Sequence, residues 1–551
     1  MNNNSYKTQV VIAGAGPVGL TLAIDLAQRG IEVVIVETRY RGEPPSVKCN
    51  HVSSRTMEIM RRLGVSKALR KAGLPDDYPN DVAYRTTFTG EELSRITIPG
   101  RAGRASKLEG PDTWWPTPEP PHRINQIYLE PVIFEFAART PGVTILNRTS
   151  VDSFEQTSTG VRVFASSLED GSAIELGCDY LIGCDGGRST VRKAIGAKLS
   201  GTDVVGRVQS TFVRAPDLLS RIESKPAWAT FSINPRRSGN VYAIDGKELW
   251  LIHNYLAEGE TTFDAVDRDW AIREILGVAD DFHYEVISKE DWIGRRLVAD
   301  KFRDRRVFIC GDAAHLWIPM AGYGMNAGIA DAMNLSWHLA SYLNGWADES
   351  VLDAYEAERL PITEQVSNFA MNHALALQRE CKAVPGNVED DSEAGRAARL
   401  SIGRNLYELN VKQYCCGGLN YGYFYDHSPL ISYDGERPPA YTIDSFTQST
   451  VPGCRTPHLW LDDGASLYDV MGSEYTLLRF DPGTEVLPLV SAAEKAGLPL
   501  VVVDVECAQS SGVYDRKLVL SRPDFHVAWR GDDVPADCNE LVNLLQGRAV
   551  K

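Results

Sequence analysis

Residues 305–328 read RRVFICGDAAHLWIPMAGYGMNAG, and their reading decides the architecture. An apolar strand, Val307-Phe308-Ile309-Cys310, ends in Gly311-Asp312. A loop follows with Pro319, Gly322, Gly324 and Asn326, and a helix comes next, from about Ala327 to Leu377. Such a strand end is an anchor for a phosphate or ribose, and it lies some three hundred residues from the start of the chain.

A second anchor stands near that start: Gly14-Ala15-Gly16-Pro17-Val18-Gly19. It follows a short apolar strand, Gln9–Ala13, and opens a helix, Leu20–Arg29, that Gly30 closes. A β-branched strand, Ile31–Val36, then ends at Glu37. Strand, glycine turn, helix, strand and acid form the context that a dinucleotide fingerprint requires. Gly14 permits the turn, Gly16 lets backbone approach a pyrophosphate, and Gly19 lets helix pack on strand. The pyrophosphate meets the positive end of the helix dipole, and Glu37 is placed for a ribose. Two anchors separated by nearly the whole first domain fit one long, extended cofactor, FAD rather than NAD.

The chain has 551 residues, enough for two or three domains. With 43% hydrophobic and 24% charged residues its composition is that of a soluble globular protein, expected in the cytoplasm. A net charge of −16 repels nucleic acid and anionic membranes, so neither is expected as a partner. MNNNSYKTQ lacks the basic and apolar regions of a signal peptide, and no apolar run approaches the roughly 20 residues of a membrane span. The ten cysteines include no C-x-x-C, so free thiols are expected, with neither a metal site nor a redox dithiol.

Between about 80 and 300 the pattern changes to antiparallel strands such as Gly160–Ser167, Asn240–Ile244 and Leu249–His253. Another apolar strand, Asp179–Cys184, interrupts them and runs into Asp185-Gly186-Gly187-Arg188-Ser189. An inserted sheet interleaved with the nucleotide domain explains why strand-and-turn signals return at 180 and 305. Gly386–Arg399 (GNVEDDSEAGRAAR) reads as a flexible loop. In the tail, Tyr475–Phe480 and Leu498–Val505 read as strands, Leu489–Ala496 as a helix, and Arg516–Leu520 with Phe525–Trp529 as a hairpin.

Taken together, GAGPVG with Glu37, NHVSSRTMEIMRRLG at 50–64, CDGGRSTVR at 184–192 and GDAAHLWIPMAGYGMN at 311–326 resemble the single-component FAD-dependent aromatic monooxygenases of the hydroxybenzoate-hydroxylase fold. The nearest likeness is to the phenol-type members, such as 2,4-dichlorophenol and 2-hydroxybiphenyl hydroxylases, and LVLSRPDFHVAWR at 518–530 is similar to their thioredoxin-like C-terminal domain. The resemblance implies an α/β protein with a Rossmann-like FAD-binding domain, an interleaved antiparallel-sheet substrate domain and a thioredoxin-like tail. The divisions are 1–80, 120–200 and 300–385 for FAD; 81–119 and 201–299 for the substrate; 386–440 as a helical or linker segment; and 441–551 for the tail. A homodimer is compatible with it.

The resemblance also implies roles. Gly311-Asp312 meets the ribityl chain of FAD, Pro319, Gly322 and Gly324 shape the loop over the flavin ring, and backbone N–H groups of Met325 and Asn326 face its pyrimidine edge. Gln126 belongs on the flavin side chain, and Asp185 braces the site. Arg55 and Arg123 hold phosphates or the ribityl chain, the alternative for both being a structural ion pair. NAD(P)H reduces the flavin, O2 adds to give a flavin hydroperoxide, and a phenolic ring, attacked ortho to its hydroxyl, takes the distal oxygen. The phenol needs a proton acceptor. Where some phenol-type relatives place a His or Asp five residues before the Arg of this segment, the chain has Asn50, with His51 beside it. Asn can orient a hydroxyl but cannot take its proton at neutral pH, which leaves His51 as the candidate acceptor.

Phe212, Phe231, Tyr242, Trp250 and Tyr255 are candidates to line the pocket, with Arg214 or Arg236 for an acidic substituent. Trp114-Trp115, among prolines, suits a lid or interface loop. Other readings are a tailoring hydroxylase or epoxidase of a natural-product polycycle, and a non-catalytic FAD protein. A flavin disulfide reductase fails for want of a redox cysteine pair and a second glycine fingerprint, and a halogenase for want of its tryptophan segment. The tail's isolated Cys454, Cys507 and Cys538 suit packing rather than redox work.

Overall fold

The computed structural model describes residues 5–48, 51–104, 106, 110–506 and 512–548. Asn50 and Cys507 lie outside the described residues. Six strands build the nucleotide-binding sheet in the order Arg303–Asp304, Val307–Ile309, Tyr180–Gly183, Val10–Ala13, Val33–Val36 and Val143–Leu146, all parallel except the first. The two anchor strands therefore stand in one sheet with only Tyr180–Gly183 between them. Val10–Ala13 and Val307–Ile309 are apolar throughout and wholly buried, as central strands of a parallel sheet covered on both faces must be.

The fingerprint turn follows from sterics. Gly14 has φ +102°, and a Cβ there would collide with the Cys184 carbonyl; one at Gly19 would collide with the Gly14 carbonyl. The helix begins at once, Pro17–Gln28, with Pro17 in the first turn where its missing N–H costs nothing. The long helix Tyr323–Leu343 packs against it.

A second, four-stranded sheet (Ser5–Lys7, Ala173–Cys178, Val161–Ser167, Thr149–Gln156) stands apart on the nucleotide domain. Val161–Ser167 is antiparallel as expected, but it belongs here and not to the inserted sheet. The inserted sheet runs His315–Trp317, Trp292–Ala299, Leu199–Arg214, Leu249–Tyr255, Gly239–Ala243, Ala229–Ser232, Val82–Arg85 and Glu92–Ile96, with Glu285–Lys289 also paired to Leu199–Arg214. Its edge strand His315–Trp317 comes from the stretch that anchors the nucleotide domain, so that stretch links the two units.

Two expectations about helices are corrected. The helix after the loop starts at Tyr323, and a separate one follows at Ala354–Lys382. Gly386–Arg399 is not a free linker: its second half is the start of the helix Glu393–Tyr414, capped by Ser392, and Arg399 is buried with its guanidinium on the Val388 and Asp390 carbonyls. Residues 449–548 close with a sheet ordered Leu500–Asp504, Tyr475–Arg479, Leu518–Ser521, Val527–Gly531, a short helix Leu467–Val470 before it, and the helices Leu487–Ala496 and Cys538–Leu545 against it. The first two strands are parallel and the rest antiparallel, the βαβ–ββα order of a thioredoxin-like unit.

Candidate cofactor and substrate cleft

One cavity of about 1160 Å³ runs from Gly16, Pro17 and Val18 past Asp312 and Gly322–Met325 to the aromatic face of the inserted sheet. Behind the glycine turn Glu37 is buried and accepts from the Ala15 N–H (2.7 Å) and from the Arg39 N–H and Nε (2.9 and 3.1 Å). Burial would raise its carboxyl, but the Arg39 guanidinium overrides this and holds it below the usual range. Arg39, which also pairs with Glu130, was not singled out from sequence, where E-T-R carries no signal of its own. Gln126 lines the cleft and donates to Glu130 at 2.9 Å.

Asp185 turns away from the cleft to accept from the Thr190 and Val191 N–H groups (2.7 and 3.2 Å), bracing the short helix Thr190–Ala194, while neighbouring Gly186 faces the cleft. Beyond Gly311 (φ +61°), the Asp312 side chain opens into the cavity. His315, three residues on, hydrogen-bonds Asp331 at 2.7 Å, and its ring stacks on Trp317 of the cleft wall.

Pro319 leads a single 3-10 turn into Gly322, whose φ of +62° starts the helix Tyr323–Leu343 without a side-chain cap. The uncapped first turn leaves backbone N–H groups as far as Met325 without intrahelical acceptors, and Gly324 and Met325 line the cleft. Asn326 contributes differently from expectation, through its side chain: Oδ1 accepts from the Ser53 N–H (2.8 Å), and Nδ2 donates to the His51 and Gly322 carbonyls (3.0 and 2.6 Å). It stitches the helix start to the segment before the helix Ser54–Arg62.

Neither arginine expected on the cofactor is among the residues lining the cleft. Arg55 is buried and donates to the Asp524 carbonyl (2.6 Å), with Glu58 at 3.6 Å, so it joins the first domain to the tail as an ion-pair residue. Arg123 donates to His51 Nδ1, with its guanidinium over the rings of Trp228 (4.5 Å) and Tyr414 (5.6 Å). This also corrects the expectation for His51. The ring lines the cleft, but burial first, and then the charges of Arg123 and Arg104, push its pKa well below 6.5. A neutral imidazole whose Nδ1 already accepts from a guanidinium is a poor proton acceptor.

Of the aromatic candidates, Phe231, Tyr242 and Tyr255 line the cleft, and Phe212 and Trp250 do not. Trp250 points to the opposite face, edge-on to Phe88 and donating to the Ala215 carbonyl. Arg214 is paired outside with Glu248 and Glu285; Arg236 reaches the rim but is held by Glu274 and Glu389. Trp114 and Trp115 stack on each other, and Trp115 meets Tyr421 edge-on, as an interface loop does. The wall also holds His253 and Trp292, which no motif marks; the only sign is the parity of Leu251, His253 and Tyr255 along one strand.

The cavity suits FAD on two counts. A Cβ added at Gly16 or Gly324 meets no protein atom within 4 Å and would project into the cleft, so these glycines keep room for something close to backbone. A helix N-terminus and an open aspartate follow one another along it, with the buried Glu37 carboxylate on the Ala15 N–H behind the glycine turn, an order that pyrophosphate, ribityl chain and adenosine ribose would fit.

Known proteins agree. Residues 7–370 match the FAD binding domain family, and 449–548 match the aromatic-ring hydroxylase C-terminal family. The chain is similar, at 32% identity and a TM-score of 0.88, to the rebeccamycin biosynthetic enzyme RebC with reduced flavin, covering 99% of this chain and 100% of that one. It is 29% identical to tetracenomycin B2 monooxygenase-dioxygenase of Streptomyces olivaceus, over 97% of this chain and 96% of the relative. To phenol 2-monooxygenase of a Pseudomonas species it is 28% identical, over 99% and 93%. The chain belongs to the FAD-binding aromatic-ring hydroxylases: it is an FAD-dependent monooxygenase. Relatives named for phenols and relatives named for natural products match it about equally, so the phenol-type subgroup is not distinguished from the natural-product hydroxylases.

Proposed function

We propose that this enzyme uses NAD(P)H and O2 to hydroxylate a phenolic ring, ortho to its hydroxyl, in a substrate larger than a single ring. The observation that carries this is the single cavity of about 1160 Å³ joining the glycine turn to the aromatic sheet face. It exceeds the roughly 300–1,000 Å³ usual for one ligand, which supports a cofactor and a polycyclic substrate side by side. Bound FAD would supply reduction by the nicotinamide cofactor and activation of dioxygen.

The protein's share is placement and charge. Asp312 and Gln126 would take the ribityl side of the cofactor, and Glu37 the adenosine ribose. The first-turn amides through Met325 would stabilise negative charge on the flavin ring, with Asn326 fixing that helix start. Trp292, Trp317, Ile318 and Met320 make the wall near the ring largely apolar, which slows loss of activated oxygen to water. Arg55 and Arg123 act here only as structural cations.

The test is NAD(P)H oxidation over a panel of simple and polycyclic phenols, with and without oxygen, and product masses. Gain of one oxygen atom, fastest with a polycyclic phenol, is the expected result. Oxidation that no aromatic compound accelerates defeats the proposal, and preference for a single-ring phenol defeats its size assignment.

A further inference from the structure

A phenolic ring attacks oxygen well only as its hydroxyl proton leaves, so the cleft needs an acceptor, and His51 is engaged with Arg123. The carboxylates on the cleft are also committed. Glu290 is bound to Lys48 (2.6 Å), Glu258 to Lys382 (2.7 Å) and Glu260 to Arg237 (3.0 Å), while Asp312 sits at the ribityl position. His253 is different. Its strand, Leu249–Tyr255, pairs with Leu199–Arg214 so that His253 stands opposite Ser210, and with Gly239–Ala243 so that it stands opposite Asn240. Alternation turns Leu251, His253 and Tyr255 to the cleft and sends Trp250 and Ile252 into the core.

The imidazole is held from both sides by ring edges, Tyr242 at 5.6 Å and 72°, and Trp292 at 5.8 Å and 79°. Packing thus fixes the ring, and among the described residues its nitrogens make no hydrogen bond. Tyr255 beside it is spent on Asn240 (3.0 Å). A ring positioned without polar partners, facing a cavity, keeps one nitrogen to accept and one to donate.

Resting on the reading of an aromatic hydroxylase, we propose that His253 accepts the hydrogen bond and then the proton of the substrate's phenolic hydroxyl. The O–H bond breaks, its proton goes to the imidazole, and the electron pair flows through the ring to the ortho carbon, which bonds the oxygen atom derived from O2. That carbon's hydrogen leaves as a proton when aromaticity returns, and the imidazolium returns its own proton to solvent. O2 is the oxidant and NAD(P)H the reductant; water takes the second oxygen.

The groups around the imidazole do not compete. Its cross-strand partners Ser210 and Asn240 are neutral, and Tyr255, with Tyr414 and Cys381 of the cleft wall, is held protonated by burial, Cys381 at about 11. Burial alone lowers His253 itself, to about 4, with no charged side chain contributing. It is therefore unprotonated at neutral pH, and protonation in acid would remove its accepting lone pair.

The experiment compares the FAD-loaded wild type with His253→Asn and His253→Gln, using the phenol that most accelerates wild-type NAD(P)H oxidation. Flavin content and spectrum serve as the folding control. The expected result is hydroxylation slowed about 100-fold or more in kcat with KM little changed. In the wild type the rate falls on acidification through about pH 4; in the variants that limb disappears, and rate returns toward pH 10, where a phenol ionises unaided. A series of ring-substituted phenols gives a check needing no variant: wild-type hydroxylation without an acid limb overturns the proposal. Variants with unchanged kcat and pH profile overturn it too. If wild type shows no aromatic-dependent turnover, the hydroxylase reading itself has failed, a different result from turnover indifferent to His253.

Discussion

At the scale of single residues, short backbone-defined features were legible in the sequence and long side chains were not. Gly16, Gly322, Gly324 and Asp312 line the cleft because turn geometry and strand ends, which neighbouring residues dictate, fix where they stand. Arg55 and Arg123 have reach enough to choose among distant partners, and they chose Asp524 and His51. His253 was invisible because a histidine in an alternating strand looks like any other wall residue. Gly16 offers a clean test. A Cβ there touches no protein atom within 4 Å but enters the cleft, so Gly16→Val should fold normally and bind FAD at least about tenfold more weakly, some 1.4 kcal/mol. Flavin absorbance per chain and far-ultraviolet circular dichroism measure the two halves; full flavin occupancy would contradict the steric assignment.

At the scale of elements, the strands and the tail helix Leu487–Ala496 fell within a few residues of expectation, because alternation and turn residues are local signals, whereas the helix Cys538–Leu545 was not expected. The start of Tyr323–Leu343 was harder, since it rests on a tertiary clasp rather than a side-chain cap, and Glu393–Tyr414 was hidden by a polar face that packs on Glu92–Ile96. The clasp is Asn326. Replacing it with Ala strands the buried Ser53 N–H and removes donors from two carbonyls, at an expected cost of about 2–3 kcal/mol. Asn326→Asp keeps the acceptor for Ser53 and should lose less stability than Ala. Urea denaturation of the FAD-loaded protein distinguishes them, and equal losses would show that the Ser53 bond contributes little.

At the scale of the whole molecule, domain order was legible from motif order, but docking was not, because it depends on charges far apart in sequence. Arg522 of the tail and Glu358 of the helix Ala354–Lys382 are both fully buried and doubly hydrogen-bonded at 2.6 and 2.7 Å, with Asp524 on the same guanidinium (2.7 and 3.1 Å). Arg455 of the tail also pairs, through one nitrogen, with buried Glu58, so tail arginines neutralise buried carboxylates of the first domain. Burial opposes charge on Glu358, and Arg522 restores it, holding that carboxyl below its usual range. Arg522→Ala should therefore cost about 3–5 kcal/mol, chiefly by leaving buried carboxylates unpaired rather than by losing a net attraction. That cause makes a distinctive forecast: adding Glu358→Leu to Arg522→Ala removes a stranded charge and should recover part of the loss, a coupling of about 0.5–3 kcal/mol. Chemical denaturation of wild type, both single variants and the double variant closes the cycle. Additive losses would mean that the two domains dock mainly through apolar contact, with the ion pairs incidental.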